Sequence, residues 1–378
     1  MKKIMGLIIS LMLVMSLVLT GCASSTSSTD NKSGTAPTSA AKKIKVGFLY
    51  VGPVGDGGYT YAHDQGRLYL EKNLGDKVET TIKESVKEDT AEVDKACEQM
   101  ISTGVTVIVG TSFGFMDGLD KSAKKHPEVT YMHCSGYMLE PNMSNYFGRD
   151  YQVRYLSGIV AGMKTKSNKI GYVAAMNIPE CVRGINAFTL GVQSVNKDAV
   201  VKVTWTGTWY DPAKEKEAAK ALLDTGVDVI AQHQDTTGPQ IAAQEKGVWS
   251  IGYNSDMSKA APNAYMTAPI WNWGPYYVEQ VQKILDKTWK STSDFLPMQA
   301  DDAKSIIYLA PLTKIAPEGA QAKVDAAKAD IISGKNKVFA GPIYDNAGVL
   351  KVKAGEVMSD KDMLTIDWFV KGVEGKVK

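Results

Sequence analysis

The chain has 378 residues, of which 44% are hydrophobic and 22% are charged, a composition typical of a globular protein with two domains. Lysine and arginine number 43 against 41 acidic residues, and removing the five bases and one acid before Ile44 leaves 38 bases and 40 acids, so a basic surface for nucleic acid is not expected. Only four histidines and four cysteines are present, without a C-x-x-C or H-E-x-x-H motif, so we predict neither a metal site nor a cofactor.

The first 21 residues have the pattern of a secretory signal peptide. Lys2 and Lys3 precede an apolar stretch that is short for a membrane span. The stretch ends at Leu19-Thr-Gly-Cys22, which resembles a bacterial lipobox. The resemblance implies that cleavage leaves Cys22 as the first mature residue and that Cys22 carries a lipid. A plain signal peptide or a single membrane anchor is the alternative.

Residues 22–43 are rich in Ser, Thr and Ala and poor in large apolar side chains. Such a segment buries too little surface to offset the entropy of ordering it, which predicts a flexible tether. No later segment is long and apolar enough to predict a membrane span, so a permease is not expected. We therefore expect a globular body outside the cytoplasmic membrane, on its outer face or in a periplasm, and anchored by lipid.

From Ile44 onward, short apolar strands alternate with helical patterns. This alternation favours a parallel sheet covered by helices on both faces. In the first half we predict strands at 44–50, 77–86, 105–109 and 129–133, and helices at 61–73, 91–103 and 115–125. In the second half we predict strands at 169–175, 200–205 and 227–231, and helices at 182–195 and 212–225.

Two stretches, 101–109 and 223–231, are near copies, each a helix end, a Thr-Gly turn and a buried strand. The fold class is therefore α/β, with two doubly wound parallel-sheet domains. Ligands of such sheets bind at the carboxyl ends of the strands, here in a cleft between the domains. We predict a hinge of three crossings near residues 149–151, 254–256 and 270–272. The predicted lobes are 44–149 plus 255–270, and 150–254 plus 271–378.

Two aromatic residues follow strands at the predicted cleft, one in each domain. Tyr59 lies in a glycine-rich loop whose spacing does not match G-x-G-x-x-G, so a phosphate ligand is disfavoured. Trp209 lies just before a helix that Asp211 can cap. The two rings could stack on both faces of one flat ligand, although either could instead pack in a core. Trp271 could also line the cleft near the hinge.

Stacking holds any flat ring, so identity must come from polar groups at the ligand's edge. An acidic set without a metal pattern favours a ligand with N–H donors, as purines have. Glu180 could instead interact with a helix dipole, and Asp235 could cap a helix. The polar candidates are Asp150, Glu180, Asp235, Asn254 and Asp256.

No nucleophile or catalytic pattern accompanies these residues. His63 adjoins Asp64, but neighbouring helical residues do not face each other, so His63 is expected to have a supporting or surface role. Cys97, Cys134 and Cys181 are interpreted as small buried side chains rather than a disulfide. We therefore predict a binding protein with no catalytic residues, and an extracellular nucleoside hydrolase remains the enzymatic alternative.

The body resembles the basic-membrane-protein family of lipid-anchored substrate-binding proteins, which serve ABC importers and have the type I periplasmic-binding fold. The resemblance rests on motifs whose order and spacing hold over nearly the whole body. They are Asp56-Gly-Gly-Tyr59, Gly110-Thr-Ser-Phe113, Asp150 with Tyr155-Leu-Ser-Gly158, and Trp209-Tyr-Asp-Pro-Ala-Lys214. It implies that Phe113 also contacts the ligand.

The resemblance further implies how a ligand is chosen. Nucleoside-binding members stack the purine on aromatics matching Tyr59 and Trp209, and hold the ribose with an Asp and a Lys. Here Asn254 replaces the Asp, and the region of Trp271 replaces the Lys. This pattern favours a free purine base such as adenine over a nucleoside. We expect a monomer that delivers the purine to ABC permease subunits, with a nucleoside receptor or a ligand-sensing surface lipoprotein as the alternatives.

Overall fold

The structure, a computed structural model, describes residues 43–377. The predicted signal peptide, Cys22 and all of the predicted tether except Lys43 lie outside this range. The described residues belong to one compact unit. Within residues 43–377, no helix combines the length and the hydropathy needed to cross a bilayer.

The elements follow one another in the alternating order that the sequence predicts. The strands are β1 (Ile44–Leu49), β2 (Val78–Lys83), β3 (Val107–Gly110), β4 (Thr130–Cys134), β5 (Met143–Gly148), β6 (Lys169–Ala174), β7 (Val200–Trp205), β8 (Val229–His233), β9 (Trp249–Ile251), β10 (Tyr265–Thr267), β11 (Pro269–Trp271), β12 (Ser293–Leu296), β13 (Ile307–Leu309), β14 (Ile343–Tyr344), β15 (Leu350–Val352) and β16 (Val373–Glu374). The helices are α1 (Tyr59–Leu74), α2 (Thr90–Ser102), α3 (Met116–Lys125), α4 (Asp150–Lys164), α5 (Pro179–Val195), α6 (Pro212–Leu223), α7 (Gly238–Lys246), α8 (Gly274–Leu285), α9 (Ala320–Ile332) and α10 (Asp360–Leu364).

Two six-stranded sheets, each parallel throughout, form the two lobes. The first sheet has the order β12-β5-β4-β3-β1-β2, and the second has the order β10-β9-β8-β6-β7-β16. Their central strands β3 and β8 are buried along their whole length, as expected when helices cover both faces. The near-copied stretches therefore provide equivalent central strands, and the predicted α/β fold class is confirmed.

The chain passes between the lobes three times. It leaves the first sheet at Arg149, returns between β11 and α8, and leaves again between β12 and β13. The first two passages lie where the sequence predicts hinge segments. The third lies in the segment 297–306, whereas we predicted it near residues 254–256.

The predicted lobe assignment of residues 255–378 differs from the strand pairing. We placed 255–270 in the first lobe, but β10 pairs with β9 in the second sheet. We placed 271–378 in the second lobe, but β12 pairs with β5 in the first sheet, and α8 packs on α1. These strands have only three or four residues, so they show too little periodicity to reveal which sheet edge they join.

Helices α4 and α5 of the second lobe pack with almost no space between their backbones. A Cβ atom at Gly158 would lie 2.1 Å from the carbonyl oxygen of Phe188, and one at Gly191 would lie 2.0 Å from that of Tyr155. Only glycine allows this approach. It brings the N-terminal turns of the two helices together at the cleft side of the second sheet, where several charged side chains meet.

Candidate functional site

A narrow cavity of about 10 Å³ lies between the lobes at the carboxyl ends of both sheets. That volume is far below the range for small-molecule sites, so a ligand enters only when the lobes move apart. Both lobes contribute equally to its lining: Val51, Tyr59, Ser112, Phe113 and Ser135 come from the first lobe, and Glu180, Trp209, His233, Asp235 and Tyr253 come from the second.

Tyr59 is held in the cavity by the cap of its own helix. The carboxylate of Asp56 accepts hydrogen bonds from the backbone N–H groups of Gly58, Thr60 and Tyr61, so it fixes the first turn of α1. Burial of Asp56 raises the pKa of its carboxyl to about 6. The hydroxyl of Tyr59 lies 3.3 Å from the Sγ of Cys134.

His63 supports the Tyr59 ring from behind. The two rings meet edge to face with centroids 4.5 Å apart, and the His63 ring stacks on Trp273 at 4.4 Å. The Nδ1 of His63 lies 2.6 Å from the hydroxyl of Tyr277. Burial holds the pKa of His63 well below its ordinary value, so the ring is neutral. His63 therefore has the supporting role that we considered for it.

Trp209 reaches the cavity from the loop between β7 and α6. Asp211 caps α6 by accepting from the N–H of Lys214. Its own N–H donates to the fully buried Glu215, whose other oxygen accepts from the N–H and hydroxyl of Thr236. Glu215 thus joins the loop that carries Trp209 to the loop that carries Asp235.

The second lobe places two carboxyl groups and a histidine in the cavity lining. Burial raises the pKa of Glu180 to about 7, and burial together with the charge of Asp56 raises the pKa of Asp235 well above its ordinary value. The Nε2 of His233 lies 3.3 Å from Glu180. Burial and the nearby Arg154 hold the pKa of His233 well below its ordinary value, so Glu180 lies beside a neutral imidazole rather than in an ion pair.

Asp150 does not line the cavity, although we predicted it as a ligand contact. It is fully buried, with its oxygens 3.6 Å from the Nε of Arg154 and 3.8 Å from a terminal nitrogen of Arg183. The guanidinium of Arg154 lies over the ring of Tyr253, 3.5 Å from its centroid. Asp150 therefore sits in a charged layer that supports the lining residues His233 and Tyr253.

Asn254 and Trp271 are engaged with each other rather than with the cavity. The indole N–H of Trp271 donates to the side-chain oxygen of Asn254 at 3.1 Å. The Asn254 amide in turn donates to the Oδ1 of Asp235 and to the carbonyl of Gln234, both at 3.2 Å. Trp271 stacks on Trp273 with centroids 4.4 Å apart. The pair therefore orients Asp235 from behind.

Of the nine predicted ligand contacts, Tyr59, Phe113, Glu180, Trp209 and Asp235 are brought together in the lining. Asp150, Asn254 and Trp271 lie behind it, and the exposed Asp256 accepts from the N–H of Ser258 in a local turn. Five further residues line the cavity without being predicted from the sequence: Val51, Ser112, Ser135, His233 and Tyr253. All follow or end strands, so every strand end should have been considered, not only its acidic and large aromatic residues.

The two lobes also touch beside the cavity. The hydroxyl of Ser255 donates to the carbonyl of Gly57, at 2.5 Å. A Cβ atom at the next residue, Gly58, would lie 2.1 Å from the backbone oxygen of Asp235. Gly57 has a φ of +73°, which glycine adopts without strain. The glycine-rich loop therefore allows the lobes to close against each other.

Similarity to known proteins establishes the family to which the chain belongs. Residues 43–302 match the Bmp family, described as ABC transporter substrate-binding proteins similar to PnrA. The chain belongs to this family. Its members are binding proteins rather than enzymes, as the sequence analysis predicted. Within residues 43–377, no group of three or more His, Cys, Asp or Glu side chains is arranged so that it could hold a metal ion.

Two relatives cover most of the chain. A purine-binding protein of Brucella abortus (strain 2308) is 43% identical over 338 residues, which are 89% of this chain and 95% of that protein. A protein of Haloferax volcanii, provisionally named an ABC transporter glucose-binding protein, is 35% identical over 90% of this chain and 82% of its own length.

Solved structures confirm the fold. The crystal structure of an ABC transporter solute-binding protein from Aeropyrum pernix K1 has a TM-score of 0.68 and 20% identity, covering 80% of this chain and 93% of that one. The predicted type I periplasmic-binding fold is thereby confirmed. The chain is accordingly a substrate-binding protein of an ABC transporter, which binds a small molecule and works with permease components.

Proposed function

We propose that this Bmp-family protein captures a purine base, adenine or a close analogue, outside the cytoplasmic membrane and delivers it to an ABC permease. A lipid on Cys22 would hold it at the membrane surface. One observation carries the ligand assignment: a small closed cavity is lined by the rings of Tyr59 and Trp209 from opposite lobes and by the carboxyls of Glu180 and Asp235.

Each part of this lining suits a purine. Aromatic side chains stack on a base with about 1–3 kcal/mol per contact. Carboxyl oxygens accept the ring and exocyclic N–H groups of a purine, and each such hydrogen bond contributes about 0.5–1.5 kcal/mol. The neutral His233 lies 3.3 Å from one oxygen of Glu180, close enough to help orient this carboxyl.

The pairing of Asn254 with Trp271 supports a base rather than a nucleoside. These are the positions where the resemblance expects groups that hold a ribose. Here the indole N–H of Trp271 donates to the side-chain oxygen of Asn254 at 3.1 Å, and both side chains are buried behind the lining. A ribose would have to break this hydrogen bond and displace a buried indole.

The relative from Brucella abortus is named for purine binding and matches along nearly its whole length, which supports the same ligand here. The Haloferax volcanii relative is named for glucose, so a sugar must be tested as well. The acidic lining could accept sugar hydroxyls, but two aromatic residues from opposite lobes suit a flat ring better.

Isothermal titration calorimetry of the compact unit tests the proposal. The titrants are adenine, guanine, hypoxanthine, xanthine, the four corresponding nucleosides and glucose. We expect a purine base to bind at least tenfold more tightly than its nucleoside. Preferential binding of a nucleoside would replace the base assignment, and binding of glucose without any purine would overturn the purine assignment altogether.

Anchoring and transport need separate tests. Mass spectrometry of the protein purified from its native membrane should find a diacylglycerol on an N-terminal Cys22, and a mature chain without lipid would contradict the anchor. A deletion strain should lose uptake of the bound purine. Normal uptake in that strain would favour a ligand-sensing surface lipoprotein instead.

A further inference from the structure

Glu88 links the two lobes at the rim of the cavity. It lies in the first lobe, between β2 and α2, and both of its carboxylate oxygens are 3.1 Å from the indole nitrogen of Trp209 in the second lobe. The same carboxylate accepts from the hydroxyl of Ser112 at 2.5 Å and from the N–H of Gly114 at 3.1 Å. One side chain therefore joins two segments of the cavity lining that belong to different lobes.

Trp209, together with Val51, lines both the cavity and a neighbouring groove on the protein surface. The ring lines both spaces, and the groove continues outward between the lobes. Its sides are formed by residues 51–53 and 85–88 of the first lobe and by Met176 and residues 207–210 of the second. A ligand leaving through this groove must move the Trp209 ring, so the contact that fixes the ring also controls this exit.

The hydrogen bond to Glu88 fixes the Trp209 ring through its indole N–H group. The indole of Trp209 carries one N–H donor, and Glu88 accepts from it, while the neighbouring lining residue Phe113 has no polar atom with which to do so. The Glu88 carboxylate is itself held by two further donors, so its direction is fixed before the lobes meet. Fixing an acceptor in advance lowers the entropy lost on closure.

We propose that Glu88 positions Trp209 as the gate of the ligand cavity, so that it holds the closed form and slows release of the ligand. This inference rests on the proposed function, because it takes the cavity as the ligand site. Glu88 acts through Trp209 and is a positioning residue. Its removal should accelerate release far more than it slows association, because the contact forms only when the lobes have closed.

Stopped-flow measurement of adenine release tests the gate. We expect Glu88→Ala to release adenine about tenfold faster, equivalent to about 1.4 kcal/mol. Glu88→Gln keeps an acceptor oxygen and should recover at least half of that loss on the logarithmic scale. Glu92→Ala is the matched control, because Glu92 is exposed on the first turn of α2 and lies near Lys95 rather than the cavity; it should leave release unchanged.

A double-mutant cycle separates the gate from a structural role. Phenylalanine has no N–H, so Glu88→Ala should change release less than twofold in a Trp209→Phe background. An equal acceleration in both backgrounds would mean that Glu88 acts only through Ser112 and Gly114, and would overturn the proposal. Unchanged release in Glu88→Ala alone would also overturn it.

A measurement on the closed protein, saturated with whichever of the calorimetry titrants binds most tightly, distinguishes failure of the gate from failure of the purine assignment. In a ¹⁵N NMR spectrum, the indole signal of Trp209 can be assigned by its disappearance in Trp209→Phe. Glu88→Ala should shift this signal and speed the exchange of its proton with solvent. If wild-type protein binds glucose and no purine but this change occurs at saturation, the contact holds and the purine assignment fails. If the indole signal is unaffected at saturation, the gate proposal fails.

Discussion

The first lobe lines the cavity with uncharged residues, namely Val51, Tyr59, Ser112, Phe113 and Ser135. The second lobe instead provides the carboxyls of Glu180 and Asp235, with His233 3.3 Å from Glu180. Both sets stand on equivalent strands. The loop after β3 begins with Thr111-Ser-Phe113, and β8 runs into His233-Gln-Asp235. One architecture thus occurs twice while its strand ends carry different chemistry.

The difference indicates that the two lobes contribute differently to ligand binding. The second lobe has the groups that can distinguish one hydrogen-bonding pattern from another, and its charged layer of Asp150, Arg154 and Arg183 fixes them. The first lobe has a ring and small polar groups, and its glycine-rich loop contacts the second lobe. We infer that the ligand is first recognised by the second lobe and then enclosed by the first, a hinge closure driven by contacts made only in the closed form.

The largest effect is expected from a substitution that prevents the lobes from closing but changes no side chain of the cavity lining. In Gly58→Ala, the new methyl group would lie 2.1 Å from the backbone oxygen of Asp235, so the lobes cannot meet as they do here. We expect the dissociation constant for adenine, measured by calorimetry, to rise at least a hundredfold, about 2.8 kcal/mol. Gly55→Ala is the control, since its methyl group would contact nothing within 4 Å. Equal affinities for the two variants would show that closure is not required.

The second test concerns Glu215, a buried acidic residue of the second lobe. Burial raises the pKa of Glu215 from its ordinary value of 4.5 to about 7, so the folded protein keeps a proton that the unfolded chain releases between these values. The free energy of unfolding should therefore fall as the pH rises from 5 to 8, with roughly 2 kcal/mol from this group. Urea denaturation at both pH values should show a smaller fall in Glu215→Gln. An equal fall in both proteins would mean that Glu215 is ionised in the folded state.

The third test removes an aromatic surface from the second lobe. Trp209→Ala should weaken adenine binding at least tenfold, about 1.4 kcal/mol, because it loses the stacking contact and opens the cavity to the groove. Calorimetry measures the change, and thermal unfolding of the unliganded variant checks that the fold is intact. An unchanged dissociation constant in a folded variant would make Trp209 a structural residue only.

The sequence predicts most elements up to residue 231, because buried parallel strands and amphipathic helices of ordinary length carry strong periodic patterns, but it misses β5. It does not reveal what tertiary contacts decide. Asp150 looks like any acid at a strand end until Arg154 and Arg183 approach it, and Asn254 looks available until Trp271 donates to it. Glu88 gives no local signal, because its partner Trp209 is 121 residues away.

The smallest expected effect separates two ways in which the first lobe can contribute. If Tyr59 acts through its ring alone, Tyr59→Phe should change the dissociation constant for adenine less than twofold, about 0.4 kcal/mol. Its hydroxyl lies 3.3 Å from the Sγ of Cys134, and burial raises the pKa of both groups, so neither offers a charge to the ligand. Tyr59→Ala, which also removes the ring, should weaken binding about tenfold. If Tyr59→Phe binds adenine as weakly as Tyr59→Ala does, the hydroxyl itself contacts the ligand. The first lobe then takes part in selecting the ligand as well as in enclosing it.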